Sequence, residues 1–482
     1  MSVFHNPMLL SPSGAAEFDT TLIPNSAWLD GANDFLDSRS FSAQTDPTCF
    51  TFATWVQRTK FASSQYLWSA EGDGGDYASI NIDGDDALVA FSGSAVFTTT
   101  QLFRDIGWYH IICSYKGAAN TVLMFVNGIA VSNTKASGNL ASDLLPVDGA
   151  HTQRVGAYFT GATGAGRVPL NSYLAQTVFL DGHSIQDSDV AVADILDSFE
   201  YGENGSQFGP KANASVAALA SAAGDNSYCL DYANSSALGT DASSDGNDFT
   251  LTSMAAANQS NHTPSRTYMQ LNALSFFGVA ALSEGNTRVG VDVYDAIRGT
   301  KFASSGKKYL EVTINTVNNT YIGVANNSAA PTSFSSLNVA CLQKGGDIYI
   351  NAAIPAGTNG SSHAFVDDDV VGILIDADNK KWWQSINGQI NSLDRTPDID
   401  LSDSDVIAGT GGFDLTSLAG DDGFYTIHIG NSDGSTADVS VNTGHKAFAH
   451  TPPEGYTDWG SDNYTAPDHQ GVDYYKNGNK CG

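Results

Sequence analysis

Residues 121–132 read TVLMFVNGIAVS, and this stretch decides the fold. Apolar and β-branched residues run up to Asn127-Gly128 and resume directly after it. Asn-Gly supplies the two positive-φ positions of a type I′ turn, so the stretch is expected to form a tight hairpin. A second stretch, KKWWQSINGQINS at 380–392, turns the same way at Asn387-Gly388. Two such hairpins far apart in one chain predict two all-β domains of similar style. Around them recur short segments rich in β-branched and aromatic residues: Phe50–Val56, Tyr77–Ile82, Trp108–Tyr115, Val122–Val126 and Tyr173–Leu180. Gly, Asn and Asp separate them. This spacing is that of antiparallel β-sandwiches.

Composition agrees and excludes several classes. The 482 residues include 22 Lys+Arg against 52 Asp+Glu, a net charge of −30, yet only 15% are charged. So little positive charge argues against binding a run of nucleic-acid phosphates or adhering to anionic lipid. A hydrophobic share of 41% with 10% aromatics suffices for packed cores. No apolar run reaches the roughly 18 residues of a membrane helix, and the MSVFHNPMLLSPSG start carries no Sec signal. No membrane insertion is expected, and synthesis in a cytoplasm without secretion is. Cys49, Cys113, Cys229, Cys341 and Cys481 are scattered without C-x-x-C spacing, which argues against a zinc site or disulfide framework.

Helical signals are few. Ser188 is placed to cap a short helix with Val192, Ile195, Leu196 and Phe199 on one face. Ser215–Ala223 reads as a helix or a packed loop. The stretch 201–262, rich in Gly, Ala, Ser, Asn and Asp, reads as a connector packed through Tyr228, Tyr232 and Phe249. The expected organisation is an N-terminal arm (1–20), a sandwich (21–200), the connector (201–262), a second sandwich (263–457) and a tail (458–482). The two ends are the expected docking segments.

Motif order then suggests a family. WLDGANDFLDSRSF (28–41), FTFATWVQRTKF (50–61), FRDIGWYHIICSY (103–115), the Val126-Asn127-Gly128 hairpin, RVGAYF (154–159) and YLAQTVFLDGHSI (173–185) follow one another. Together they resemble the concanavalin A-like, laminin-G-type jelly roll. SSGKKYLEVTI (304–314), YIGVAN (321–326), DDDVVGILIDADNKKWWQSINGQI (367–390) and VSVNTGHKAFAHTPPEGY (439–456) resemble a SPRY-like sandwich. Asp368 stands where the SPRY-like pattern has Gly, a departure that bears on a turn and not on the fold. The tandem, with its connector, is similar to structural proteins of marine tailed bacteriophages. That resemblance implies a non-enzymatic virion protein, tail-associated and binding host-surface glycan, or alternatively a head decoration or fibre protein. Its implied partners are itself, other virion proteins and glycan.

Candidate chemistry is sparse. Ala70–Asp86 reads AEGDGGDYASINIDGDD, and its Asp73, Asp76, Asp83 and Asp85 are oxygen ligands suited to Ca²⁺ or, equally, residues favoured in turns. Asp241–Asp248 presents the same two readings. Glycan hydrolysis needs two carboxyls flanking a cleft, as glucanases of this fold provide on an E-x-D-x-(x)-E strand. That strand is absent, Glu311 is isolated, and Asp376 and Asp378 lack a glutamate, so an enzyme such as a laminarinase-type glucanase is the lesser reading. His110 and His428 are expected to face strand neighbours. Trp28 and Trp459 in loops, and one of the consecutive Trp382 and Trp383, are the candidates for ligand or interface contact.

Overall fold

The structure is a computed structural model that describes residues 22–38, 45–46, 48–72, 77–138, 140, 151–160, 166–185, 200–201, 207–208, 210–278, 280–292, 294–327, 338–354, 363–393, 400–432 and 434–460. Its contacts divide the chain into two units, Met1–Arg266 and Thr267–Gly482. Both are β-sandwiches whose ladders are almost entirely antiparallel. The expected N-terminal arm, the Ser188 helix and the tail beyond residue 460 lie outside the described residues.

In the first unit, one sheet runs Ile129–Ala130, Thr121–Val126, Trp108–Lys116, Cys49–Arg58, Asn171–Asp181, Ser26–Asp30 and Gln259–Ser260. The opposing sheet runs Asn133–Ser137, Ala95–Leu102, Ala87–Ser92, Tyr77–Ile82, Gln65–Gly72, His151–Val155, Phe35–Ser38 and Phe249–Thr252. Phe50, Phe52, Val56 and Phe179 meet Trp68, Ile80, Leu88 and Phe97 between them. Both Asn-Gly turns form as expected, with φ of 50° and 74° at Asn127 and Gly128, and 51° and 83° at Asn387 and Gly388.

The second unit stacks a sheet built on Thr320–Asn326 and Tyr425–Asn431 against a larger one built on Lys307–Thr316, Val370–Asp376 and Lys381–Ile386. Ile322, Val324 and Ile427 pack there with Leu310, Ile373 and Trp382.

Strand Cys49–Arg58 is buried along its whole length, so its outward residues Ala53 and Trp55 are as covered as its inward ones. Part of the cover comes from the stretch expected to connect two domains, and part from residues at the start of the sandwich. Helix Asn213–Ser221 lays Val216, Ala217 and Ala220 over Ala53, Ile112 and Val178. Ile23 and Trp28 pack on Trp55, Trp108 and Tyr173, and the His262 ring lies 5.7 Å from Trp108 and 5.1 Å from Tyr173. Tyr228–Leu230 pairs with Asn171–Asp181, and Phe249–Thr252 pairs with Phe35–Ser38. Residues from Tyr228 onward are thus part of the first sandwich and not a linker. Strands of two to four residues among Gly, Ser and Asn have no periodicity of their own; the neighbouring strand sets them.

One contact ties this stretch to the start of the sandwich. Asn258 Nδ2 donates to Asp34 Oδ2 (2.7 Å) and to the Trp28 carbonyl (2.9 Å). Burial, with the nearby Asp30 carboxylate, pushes Asp34 up to about 6 from 3.8. An acid whose folded value is raised binds its proton more tightly folded than unfolded. Between pH 4 and 6 stability therefore falls as pH rises, and levels off above about 6. Asp34→Asn should flatten this slope and leave the protein as stable at pH 7 or more so, by on the order of 1–3 kcal/mol. Urea unfolding of both proteins at pH 4.5, 6 and 7.5 checks it; an unchanged slope in the variant contradicts the assignment.

Candidate functional site

The outer face of the second sheet in the first unit carries a row of rings. Ala78 and Ile80 point into the core, so strand alternation turns Tyr77 and its neighbours outward. Phe91, on the adjoining strand, stacks on Tyr77 with ring centroids 4.2 Å apart. Tyr158 comes from the hairpin Ala157–Thr160/Gly166–Pro169, which crosses this face and is anchored where Ser69 Oγ donates to the Ala157 carbonyl (2.8 Å). Its ring stacks on Tyr66 at 4.7 Å and leans on Tyr77 at 5.3 Å. All four rings are half-buried and packed on one another. Gly156, at φ 87°, makes the corner into this hairpin; a Cβ there would lie 2.1 Å from Leu29 Cδ2.

Charged groups stand beside the rings. Arg154 lies between Asp37 and Glu71, with Nε 3.1 Å from Asp37 Oδ1 and Nη1 3.4 Å from Glu71 Oε2. Glu71 is also the cross-strand partner of Tyr77. Burial raises both carboxyls above their ordinary values, and Arg154 opposes the rise without cancelling it. Burial and the neighbouring Tyr77 also push the Tyr66 phenol up, so it stays a neutral hydroxyl. The arrangement is an aromatic platform with a polar, nearly charge-compensated edge. It can stack a flat apolar face and exchange hydrogen bonds with hydroxyls around it.

The residues singled out from sequence fall elsewhere. Asp73 and Asp76 lie outside the described residues. Asp83 closes a turn, its Oδ1 accepting from the Asp85 and Ala87 amides (both 2.9 Å), and Asp85 belongs to that turn. Asp241 likewise accepts from the Cys229 and Asn247 amides (2.9 Å each) and pins its loop. Among the described residues, no group of three or more His, Cys, Asp or Glu side chains is placed to hold a metal.

Trp28 is half-buried against Trp55 and Trp108. Trp383 and Trp459 are fully interior, which removes both as contact residues. Trp382 fills the inter-sheet core, and Trp383 lies on the other face beneath Leu401, Val406 and Tyr456, its Nε1 donating to the Thr410 carbonyl (2.8 Å). Gly412 permits that cover, since a Cβ there would come within 2.5 Å of the Trp383 ring. Trp459 joins the second core, 2% exposed. His110 packs on Trp55 with the rings tilted and 4.8 Å apart, and burial lowers it to about 3. His428 is fully buried.

Asp376 is buried on the outer face of its sheet, where it accepts from Asn379 at a strand end and lies 3.5 Å from Lys307 Nζ, while Asp378 is exposed. The ring row went unnoticed in sequence because Tyr158 arrives from far along the chain. Outward Tyr66, Tyr77 and Phe91 on successive strands were the available signal.

Residues 30–167 match the family described as the concanavalin A-like lectin/glucanases superfamily. Among solved structures, the chain is similar to the SPRY domain of human HERC1 (10% identity, TM-score 0.28, covering 37% of this chain and 99% of that one). It is similar to a Bacteroides ovatus protein described as a candidate carbohydrate binding protein (14%, 0.33, 48% and 58%). It is also similar to the heptameric SAP-like pentraxin of Limulus polyphemus (11%, 0.25, 32% and 74%). No curated protein matched. Identities this low say nothing of ligand or chemistry.

Glu311, the isolated glutamate, has a structural task. It is 2% exposed and accepts from Tyr309 Oη (3.0 Å) and from the Ala449 and His450 amides (2.8 Å each). Glu311→Ala takes the acceptor from the buried Tyr309 hydroxyl and from the Ala449 and His450 amides and should destabilise the second unit by about 2–4 kcal/mol, with Glu311→Gln milder. Thermal unfolding followed by tryptophan fluorescence checks this; equal melting of Glu311→Ala and the parent would show that these hydrogen bonds do not stabilise the unit.

Proposed function

We propose that this chain is a non-enzymatic glycan-binding protein, built as a structural part of a tailed bacteriophage particle. Its place is the tail, where it engages host-surface glycan and packs with copies of itself and other virion proteins. The observation that carries glycan binding is the outward row Tyr66, Tyr77, Phe91 and Tyr158. Pyranose rings present C–H faces that stack on such rings, while hydroxyls seek the polar edge supplied by Glu71, Asp37 and Arg154. The match of residues 30–167 to a superfamily of lectins and glucanases supports the same reading. The order of motifs along both halves supports the phage setting.

The Asp37–Glu71 pair favours one second reading, glycan hydrolysis, because both carboxyls are raised and stand beside the platform. A glycosidase needs one carboxyl to donate its proton and the other to attack or activate water. Here both are held by one guanidinium, which suits a fixed edge better than two separate roles.

Tyr77→Ala removes the ring that touches both Phe91 and Tyr158. Binding to host-cell polysaccharide should weaken at least tenfold, with the melting temperature nearly kept because the ring sits outside the core. Equal binding by Tyr77→Ala and the parent on biolayer interferometry would sink the platform. Release of reducing sugar by the parent would replace binding with hydrolysis. Particles labelled with antibody to the chain at the head would replace the tail with decoration.

A further inference from the structure

The platform's electrostatics narrow its ligand; this step rests on the glycan-binding reading above. Anionic polysaccharides, whether sulfated or built from uronic acids, are recognised by cations free to pair with sulfate or carboxylate. Among the described side chains, the cation beside these rings is Arg154, and it is already shared by Asp37 at 3.1 Å and Glu71 at 3.4 Å. With both acids ionised the edge sums to one negative charge. Tyr66 stays neutral and adds only a hydroxyl. The full chain, at −30, adds repulsion that reaches a polyanion until salt screens it beyond about 8–10 Å. What remains attractive is the apolar side of four rings and a rim of acceptors for hydroxyl protons.

We infer that the Tyr66–Tyr77–Phe91–Tyr158 face selects uncharged hexopyranose glycans and rejects sulfated or uronate polysaccharides, because its guanidinium is committed to two carboxylates. Selection here acts against the wrong ligand: among the described side chains of this edge, a sulfate would meet Asp37 and Glu71 and one guanidinium that both already share.

Affinity electrophoresis of the full chain through gels containing dextran, mannan or laminarin, against alginate or κ-carrageenan, tests this directly. The expected result is retardation by at least one neutral polysaccharide, changing less than twofold between 50 and 500 mM NaCl, with anionic gels at least tenfold weaker. Preferential retardation by an anionic gel that collapses with salt would overturn the inference while leaving glycan binding in place. Retardation by none of the five would instead remove the glycan-binding reading and this inference with it. A double variant, Asp37→Asn with Glu71→Gln, frees Arg154 and should gain at least tenfold in retardation by alginate or carrageenan. A folded double variant with no such gain also overturns it. Should the variant fail to fold, the comparison of neutral and anionic gels with the parent chain decides alone.

Discussion

The burial of strand Cys49–Arg58 on both faces is the constraint from which the first unit follows. A two-layer sandwich buries one face of each sheet and leaves the other to water. Here Ala53, Trp55, Trp108 and Tyr173 make the outer face apolar as well, and water would contact several large rings if nothing covered them. At roughly 25 cal/mol per Å², a tryptophan left exposed forfeits a few kcal/mol. The chain therefore continues past its last long strand, laying a helix over one end of that face and residues near His262 over the other. The second unit repeats the solution. Tyr309, Leu374 and Trp383 form an outer apolar face beneath Val406 and Tyr456.

This third layer marks the boundary of what sequence made legible. Asn127-Gly128 and Asn387-Gly388 were readable because positive φ at two successive residues is a local demand that few residue pairs meet. Phe50–Val56 and Trp108–Tyr115 were readable because long strands buried on both faces become near-continuous apolar runs. Tyr228–Leu230 and Phe249–Thr252 were not, since so short a segment is a strand only by virtue of the neighbour it pairs with. Trp383 and Trp459 misled for the same reason. Alternation tells which face a tryptophan takes, but not that Thr410, Gly412 and Tyr456 arrive to cover it. The ring platform joins Tyr158 to Tyr66 and Tyr77 through a hairpin whose path no local pattern announces.

Charge follows a rule of its own. With 52 acids and 22 bases, most carboxylates cannot find a cation, and many take backbone amides instead. Asp30 Oδ1 accepts from the Ala32 and Asn33 amides, Asp83 and Asp241 close their loops, and Glu311 holds Ala449 and His450. A carboxylate receiving N–H donors is stabilised without a partner of opposite sign. The acidic loops that suggested calcium are in their described parts built this way. Arg58 is the contrasting case. Buried to 1% exposure, it meets Asp86 at 2.9 Å, and Asp86 also pairs with Arg104. Burial would raise Asp86, but the Ala62 amide and the two guanidiniums outweigh it and hold the carboxyl below its ordinary value.

These two habits together explain why the two sheets of the first unit have different outer faces. The first sheet's outer face is apolar and is covered by the chain itself. The second sheet's outer face is mixed: four half-buried rings beside Asp37, Glu71 and Arg154. Covering it with more protein would strand the ion pair away from water, where desolvation costs more than the pairing returns. Leaving it open lets the charged edge stay hydrated while the rings keep most of their packing through one another. Such a surface is stable without a partner and still presents apolar area to any solute that is flat on one side and hydroxylated around its rim. The same two carboxylates that keep Arg154 in place would repel an anion, so on the proposed reading the stability of the face and its choice of ligand come from one arrangement.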